Sequence, residues 1–171
     1  MRSAAALAAI LIAIALQTTL ASLVLRGSAA IDLVLIVVVY VAIKSGPVTG
    51  LMAGTVAGLI QDALSSGILG IGGLAKTIVG FLAGVLGSQF IVTAPVPRFL
   101  LLLLATGLHA GIFVGLYMLL DLRQFPAPYP AIAGQAFGNA FVGVVMFQLI
   151  EWLPGFVDRR RAGRTLKRYL V

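Results

Sequence analysis

The sequence predicts an all-α polytopic membrane protein, a compact bundle of six transmembrane helices, on three observations. Sixty-one percent of its 171 residues are hydrophobic and only 10% are charged, with a mean hydropathy of +1.13. A soluble domain carries about 25% charged residues. The apolar residues come in runs able to cross a hydrocarbon core of about 30 Å at 1.5 Å per residue. The cations gather between alternate runs and in residues 157–171.

Residues 3–25 are uncharged and form the first span. Arg2 before an alanine-rich run also suits a signal peptide, but the run exceeds the usual 7–15-residue apolar region. The second span, 28–44, is apolar except for Asp32 and is short. Gly46-Pro47 breaks the chain, with proline suited to a first helical turn, and the third span covers 47–64. Ser65-Ser66-Gly67 makes a turn that Gly70 and Gly73 continue. The fourth span, 71–92, ends before Pro95 and Pro97, and the fifth covers 99–120. Pro126, Pro128 and Pro130 favour an extended path through 121–130. The sixth span, 131–153, is closed by Pro154-Gly155. One transmembrane domain, 1–156, thus precedes a basic tail, 157–171.

Charge placement predicts topology. Arg2, Lys44, Arg98 and six tail cations, nine in all, share one side, against Arg26 and Arg123 on the other. Both termini are therefore expected in the cytoplasm. Five spans, with the second segment at the interface, is the alternative. The formal charge of +7 does not suggest nucleic acid, because half of the twelve cations lie between Arg159 and Arg168. Those six, Arg159, Arg160, Arg161, Arg164, Lys167 and Arg168, are expected on an anionic membrane surface.

Gly46, Gly50, Gly54 and Gly58 recur every fourth residue, and the next step is Asp62. Small residues at this spacing let helix backbones approach closely in lipid. A neighbour following the whole row would have to cross steeply, and spans two and four are the first candidates. Shorter rows occur at Gly80 and Gly84, at Gly107, Gly111 and Gly115, and at Gly134 and Gly138. Charges inside a span cost about 2.5–3.5 kcal/mol each. Asp62 and Lys76 flank one turn, where antiparallel helices could bring them together. Asp62 could instead cap the turn through Ser65 and Ser66. His109, Gln135 and Asn139 read as interhelical hydrogen-bonding groups, as does Gln17 with Thr18 and Thr19.

Catalytic signals are absent. There is no cysteine, no His-Glu-x-x-His, no Walker loop and no Gly-x-Ser-x-Gly. Nothing orients Ser65 or Ser66 towards His109. A single histidine without a carboxylate partner in sequence makes no metal site. No enzyme activity, metal or cofactor is expected.

The string Ile31-Asp32-Leu33-Val34-Leu35-Ile36, then Gly46-Pro47, the glycine row, Asp62-Ala63-Leu64-Ser65-Ser66-Gly67, Leu69-Gly70 and Gly80-Phe81-Leu82-Ala83-Gly84 resembles the MreD family of rod shape-determining membrane proteins. It departs at Ile31, where the family often has proline, and at Lys76, in a span usually uncharged. The resemblance implies a non-enzymatic subunit of the cell-elongation complex in the bacterial inner membrane. The partners it implies are the MreC scaffold and, more widely, MreB, RodA and penicillin-binding protein 2. It also implies a fold like the S subunits of energy-coupling-factor transporters, with Asp32, Pro47, Asp62, Ser65, Gly67 and Gly70 as family positions. The competing function is vitamin binding as such an S subunit, motivated by the small-residue rows Ala4, Ala8 and Ala5, Ala9, Ala13 of the first span.

Overall fold

The computed structural model describes the backbone of residues 3–23, 31–65, 68–90, 92, 94–122 and 129–169, and the side chains of these except residues 3–4, 20–23 and 153–169. Six helices follow in order: α1 (Ser3–Leu23), α2 (Leu33–Ser45), α3 (Pro47–Leu64), α4 (Ile71–Gln89), α5 (Pro95–Leu119) and α6 (Tyr129–Tyr169). No strand occurs among the described residues. Arg2, Arg26, Arg123, Ser66, Gly67 and the prolines at 126 and 128 fall outside them.

The short helix α2 is the axis of the molecule. It touches each of the other five, which form an arc in the order α1, α3, α4, α5, α6. Among the described residues no contact joins α1 to α6, so the arc stays open there. A helix apolar on all sides is a helix enclosed on all sides, and Val34 to Val39, Val41 and Ala42 are all buried. One apolar core lies between α2, α4, α5 and α6, around Ile36, Val79, Leu102 and Phe147. A second joins α1, α2 and α3 through Ile10, Ile14, Val41 and Ala57. Thirteen residues make about 20 Å of helix, well short of a 30 Å core. The helix starts at Leu33, later than the expected 28, because Asp32 caps it: its Oδ1 accepts the Leu35 N–H at 2.9 Å.

Helix α3 lies antiparallel on α4, and glycine sets their separation. A Cβ on Gly54 would stand 2.6 Å from the carbonyl carbon of Lys76, and one on Gly50 would stand 3.0 Å from that of Gly80. Gly58 meets the Gly73 backbone, and Gly84 meets Pro47. The row that packs is therefore Pro47, Gly50, Gly54 and Gly58. Eleven residues over three turns drift only about 20° on an ideal helix. The neighbour runs alongside the row rather than crossing it steeply, which corrects the expectation from a strict four-residue spacing. Gly46 leaves the row. Its φ of 89° turns the chain from α2 into α3, a left-handed conformation that glycine adopts without strain.

Boundaries of three helices are also corrected. Helix α5 begins at Pro95 instead of 99, since prolines fit a first turn whose N–H groups have no intrahelical acceptor. Helix α4 stops at Gln89 rather than 92. Helix α6 includes Tyr129 and Pro130 and continues past Pro154-Gly155 to Tyr169. An interior proline removes one ladder bond, and the adjacent turns carry this backbone through. Among the described residues three segments are long and apolar enough to cross a membrane: Ile71–Gln89, Pro95–Leu119 and Tyr129–Trp152.

Alanine is a better helix former than glycine by about 1 kcal/mol, yet Gly54→Ala should destabilise the protein. Forcing α4 outward costs about 1–3 kcal/mol as overpacking. Gly111→Ala, where no atom lies within 4 Å of an added Cβ, should be neutral or stabilising. Unfolding midpoints of both variants in the same detergent test this, and an unharmed Gly54→Ala would refute the close contact.

Candidate functional site

Five helices contribute to one polar junction near the start of α2. Lys76 Nζ of α4 stands 2.9 Å from Asp32 Oδ2 and 3.2 Å from His109 Nε2 of α5. The Asp32 backbone N–H donates to Asn139 Oδ1 of α6 at 2.8 Å, and Asn139 Nδ2 donates to Thr106 Oγ1 of α5 at 3.2 Å. From α1, Gln17 Oε1 accepts the Val34 N–H at 3.1 Å. Asp32, Lys76, Thr106, His109 and Asn139 are all buried.

The sequence places each group by a separate local device. Asp32 is the N-cap of α2, so one oxygen holds Leu35 and the other remains for Lys76. Lys76 is brought near because Gly54 lets the α4 backbone approach α3. An ammonium only donates, so the contact makes His109 Nε2 the acceptor and puts the ring proton on Nδ1. The junction is then charge-balanced, one carboxylate against one ammonium, with the imidazole neutral. Asp32 and His109 both pair with Lys76, so the three side chains tie α2, α4 and α5 together. The backbone N–H of Asp32 fixes α6, so three helices, α2, α4 and α6, depend on the atoms of one residue.

Of the two roles open to Asp62, pairing with Lys76 or capping the turn, the structure shows a cap, though made to glycine amides and not to the Ser65 side chain. Asp62 Oδ2 accepts the backbone N–H groups of Gly70 at 2.9 Å and Gly73 at 3.0 Å, capping α4 from the end of α3. Gly72 stands where any Cβ would meet the carboxylate. Asp62 is therefore spent on orphan amide donors of α4 and does not pair with Lys76, which turns to α2. Nor does its carboxylate bind Ser65. The Ser65 hydroxyl instead donates to the backbone carbonyls of Gln61 and Asp62. Gly70, with φ 104°, makes the entry to α4 that the cap requires. Gln135 lies half-buried one turn before Asn139.

The sequence reading missed a second polar group at the other end of α2. Glu151 of α6 receives Lys44 at 2.8 Å and both terminal nitrogens of Arg98 at 2.9 Å. Arg98 is buried, donates from Nε to the Val92 carbonyl at 3.1 Å, and lies 5.2 Å over the Phe147 ring. Glu151 is the chain's only glutamate. Its position at the end of an apolar run, on the side that charge counting gives to Lys44 and Arg98, was the available signal. The side chains of Arg159, Arg160, Arg161, Arg164, Lys167 and Arg168 lie outside the described ones.

Two measurements check these assignments. Lys76→Met should cost about 3–5 kcal/mol, because it leaves a buried carboxylate unpaired. Adding Asp32→Asn, which keeps an N-cap oxygen, should recover much of that loss; additive effects of the two changes would contradict the pairing. Asp62→Ala should cost about 0.5–2 kcal/mol as a lost cap. It should also speed hydrogen exchange at Gly70 and Gly73 while leaving the Lys76 contacts in place.

A search of curated proteins and one of solved structures each found no match. The family model described as rod shape-determining protein MreD matches residues 3–154, nearly all of the apolar bundle that carries the junction, the Asp62 cap and the glycine contact. The chain belongs to the MreD family of rod shape-determining membrane proteins.

Proposed function

We propose that this protein is a non-enzymatic, six-span subunit of the bacterial cell-elongation complex that maintains rod shape by binding the MreC scaffold. Through MreC it would organise peptidoglycan synthesis with MreB, RodA and penicillin-binding protein 2. Family membership supports the shape-determining role. The observation that carries the binding role is the glycine row of α5. No atom lies within 4 Å of a Cβ placed on Gly107, Gly111 or Gly115, whereas a Cβ on Gly50, Gly54, Gly58, Gly80 or Gly84 meets another helix. The α5 row is bordered by the exposed side chains of Leu104, Leu108 and Met118. A smooth, apolar ridge of this kind is a surface on which a single-span partner's helix can pack backbone to backbone.

The reading places the protein in the inner membrane with both termini in the cytoplasm, as the charge asymmetry favours. On that placement the C-terminal part of α6 carries six cations to an anionic leaflet, at about 1 kcal/mol per cation near the surface.

Deleting the gene from a rod-shaped host should round the cells. Gly111→Leu should fold normally, fail to restore rods, and reduce co-purification of MreC about tenfold, the effect of losing 1.4 kcal/mol of contact. Gly111→Ala should restore both. Rods that persist after deletion would refute the shape role, and undiminished co-purification by Gly111→Leu would refute the α5 face.

A further inference from the structure

A cleft of about 370 Å³ opens between α1, α2 and α3 at the end of the molecule that holds the Asp62 cap. Its walls include Ile14, Gln17, Thr18, Gln61, Leu64 and Ser65. The polar groups here are mostly committed to backbone. Gln17 Oε1 accepts from Val34, the Thr18 hydroxyl donates to the Ile14 carbonyl at 3.0 Å, and the Ser65 hydroxyl donates to the Gln61 carbonyl at 2.9 Å. The exception is Gln61, whose Oε1 is buried without a hydrogen-bond partner. A buried amide oxygen that meets no donor is an acceptor left for a ligand hydroxyl.

We propose that this cleft is a binding site for a neutral, polyhydroxylated group, with Gln61 as its principal recognition residue. A hydroxyl of the ligand donates to Gln61 Oε1, and the oxygens of Thr18 and Ser65 accept others. No charged side chain is among the lining residues, which argues against a phosphate or carboxylate at this point. Ile14 and Leu64 give the apolar wall that the faces of a sugar ring, or the chain beneath it, would cover. The volume is within the 300–1,000 Å³ range of small-molecule sites and equals that of roughly twelve waters at 30 Å³ each. That exceeds what one orphan oxygen needs. The chemistry fits either the sugar head of a neutral glycolipid or a free sugar, and the site is independent of the α5 face.

Native mass spectrometry of the full chain released from nanodiscs tests this, with monoglucosyl diacylglycerol, the same diacylglycerol without sugar, and free glucose as probes. The glycolipid should give a one-to-one adduct that the sugar-free lipid does not match. Gln61→Leu should weaken it about three- to tenfold, the range of one neutral hydrogen bond. Leu64→Trp, a change at a side chain 62% exposed, should fill the cleft and abolish binding even if Gln61→Leu folds poorly. Displacement by millimolar glucose would identify a soluble sugar as the occupant, and resistance to it would identify a lipid head group. Absence of any adduct, equal retention of both lipids, or unchanged binding in the variants would overturn the proposal.

Discussion

Lys76 is held at both ends, and the bundle is organised around that. Its carbonyl is pressed against Gly54 of α3, while its ammonium reaches Asp32 at the start of α2 and His109 on α5. The backbone contact fixes how near α4 comes, and the side-chain contacts fix which way it faces. If α4 stood off by the width of a methyl group, the lysine stem would have to change its reach to keep the carboxylate. Glycine at 54 therefore supports an ion pair it does not touch with a side chain. Asp32 passes the constraint on, because the residue that neutralises Lys76 also caps α2 and anchors Asn139 of α6.

In lipid this arrangement selects a fold more than it adds stability. Apolar helices gain little by choosing one apolar neighbour over another, since the acyl chains offer similar contacts. A buried ammonium has far fewer acceptable partners, and each wrong register leaves it unpaired at a cost of several kcal/mol. The second cluster acts likewise at the opposite end of α2, where Glu151 ties the α2 terminus and the α5 start to α6. Two polar stations about 20 Å apart thus set the rotation and height of a central helix whose own sides are almost featureless.

What could be read from the sequence were the features whose cause is local. Gly46-Pro47, the glycine contact between consecutive helices and the capped turn at Asp62 all involve residues close along the chain. The true partner of Lys76 was hidden for the same reason. Two buried carboxylates were available, and the nearer in sequence was Asp62, yet the start of α4 exposes amide donors that claim it. Asp32 was the remaining anion, 44 residues from Lys76, and the side chain of Glu151 had only distant partners to identify it. The row at Pro47 was misjudged through geometry: three plus four plus four matches a helix of 3.6 residues per turn, where repeated fours do not.

The same reasoning separates the glycines of α5 from those of α3. Each interior glycine costs a helix about 1 kcal/mol against alanine in water. In α3 that cost is offset inside the molecule by close contact with α4. In α5 none of the described residues packs on these glycines to offset it. Residues 109 and 111 lie about 160° apart on an ideal helix, so the face opposite His109 is the one left smooth. Helix α5 therefore presents its polar, fixed side to the junction and its small-residue side outward. A helix seated on Gly111 would bear directly on the element that positions His109 and Thr106. On the proposed docking face, α5 would be the element that meets a partner outside and holds the polar junction inside.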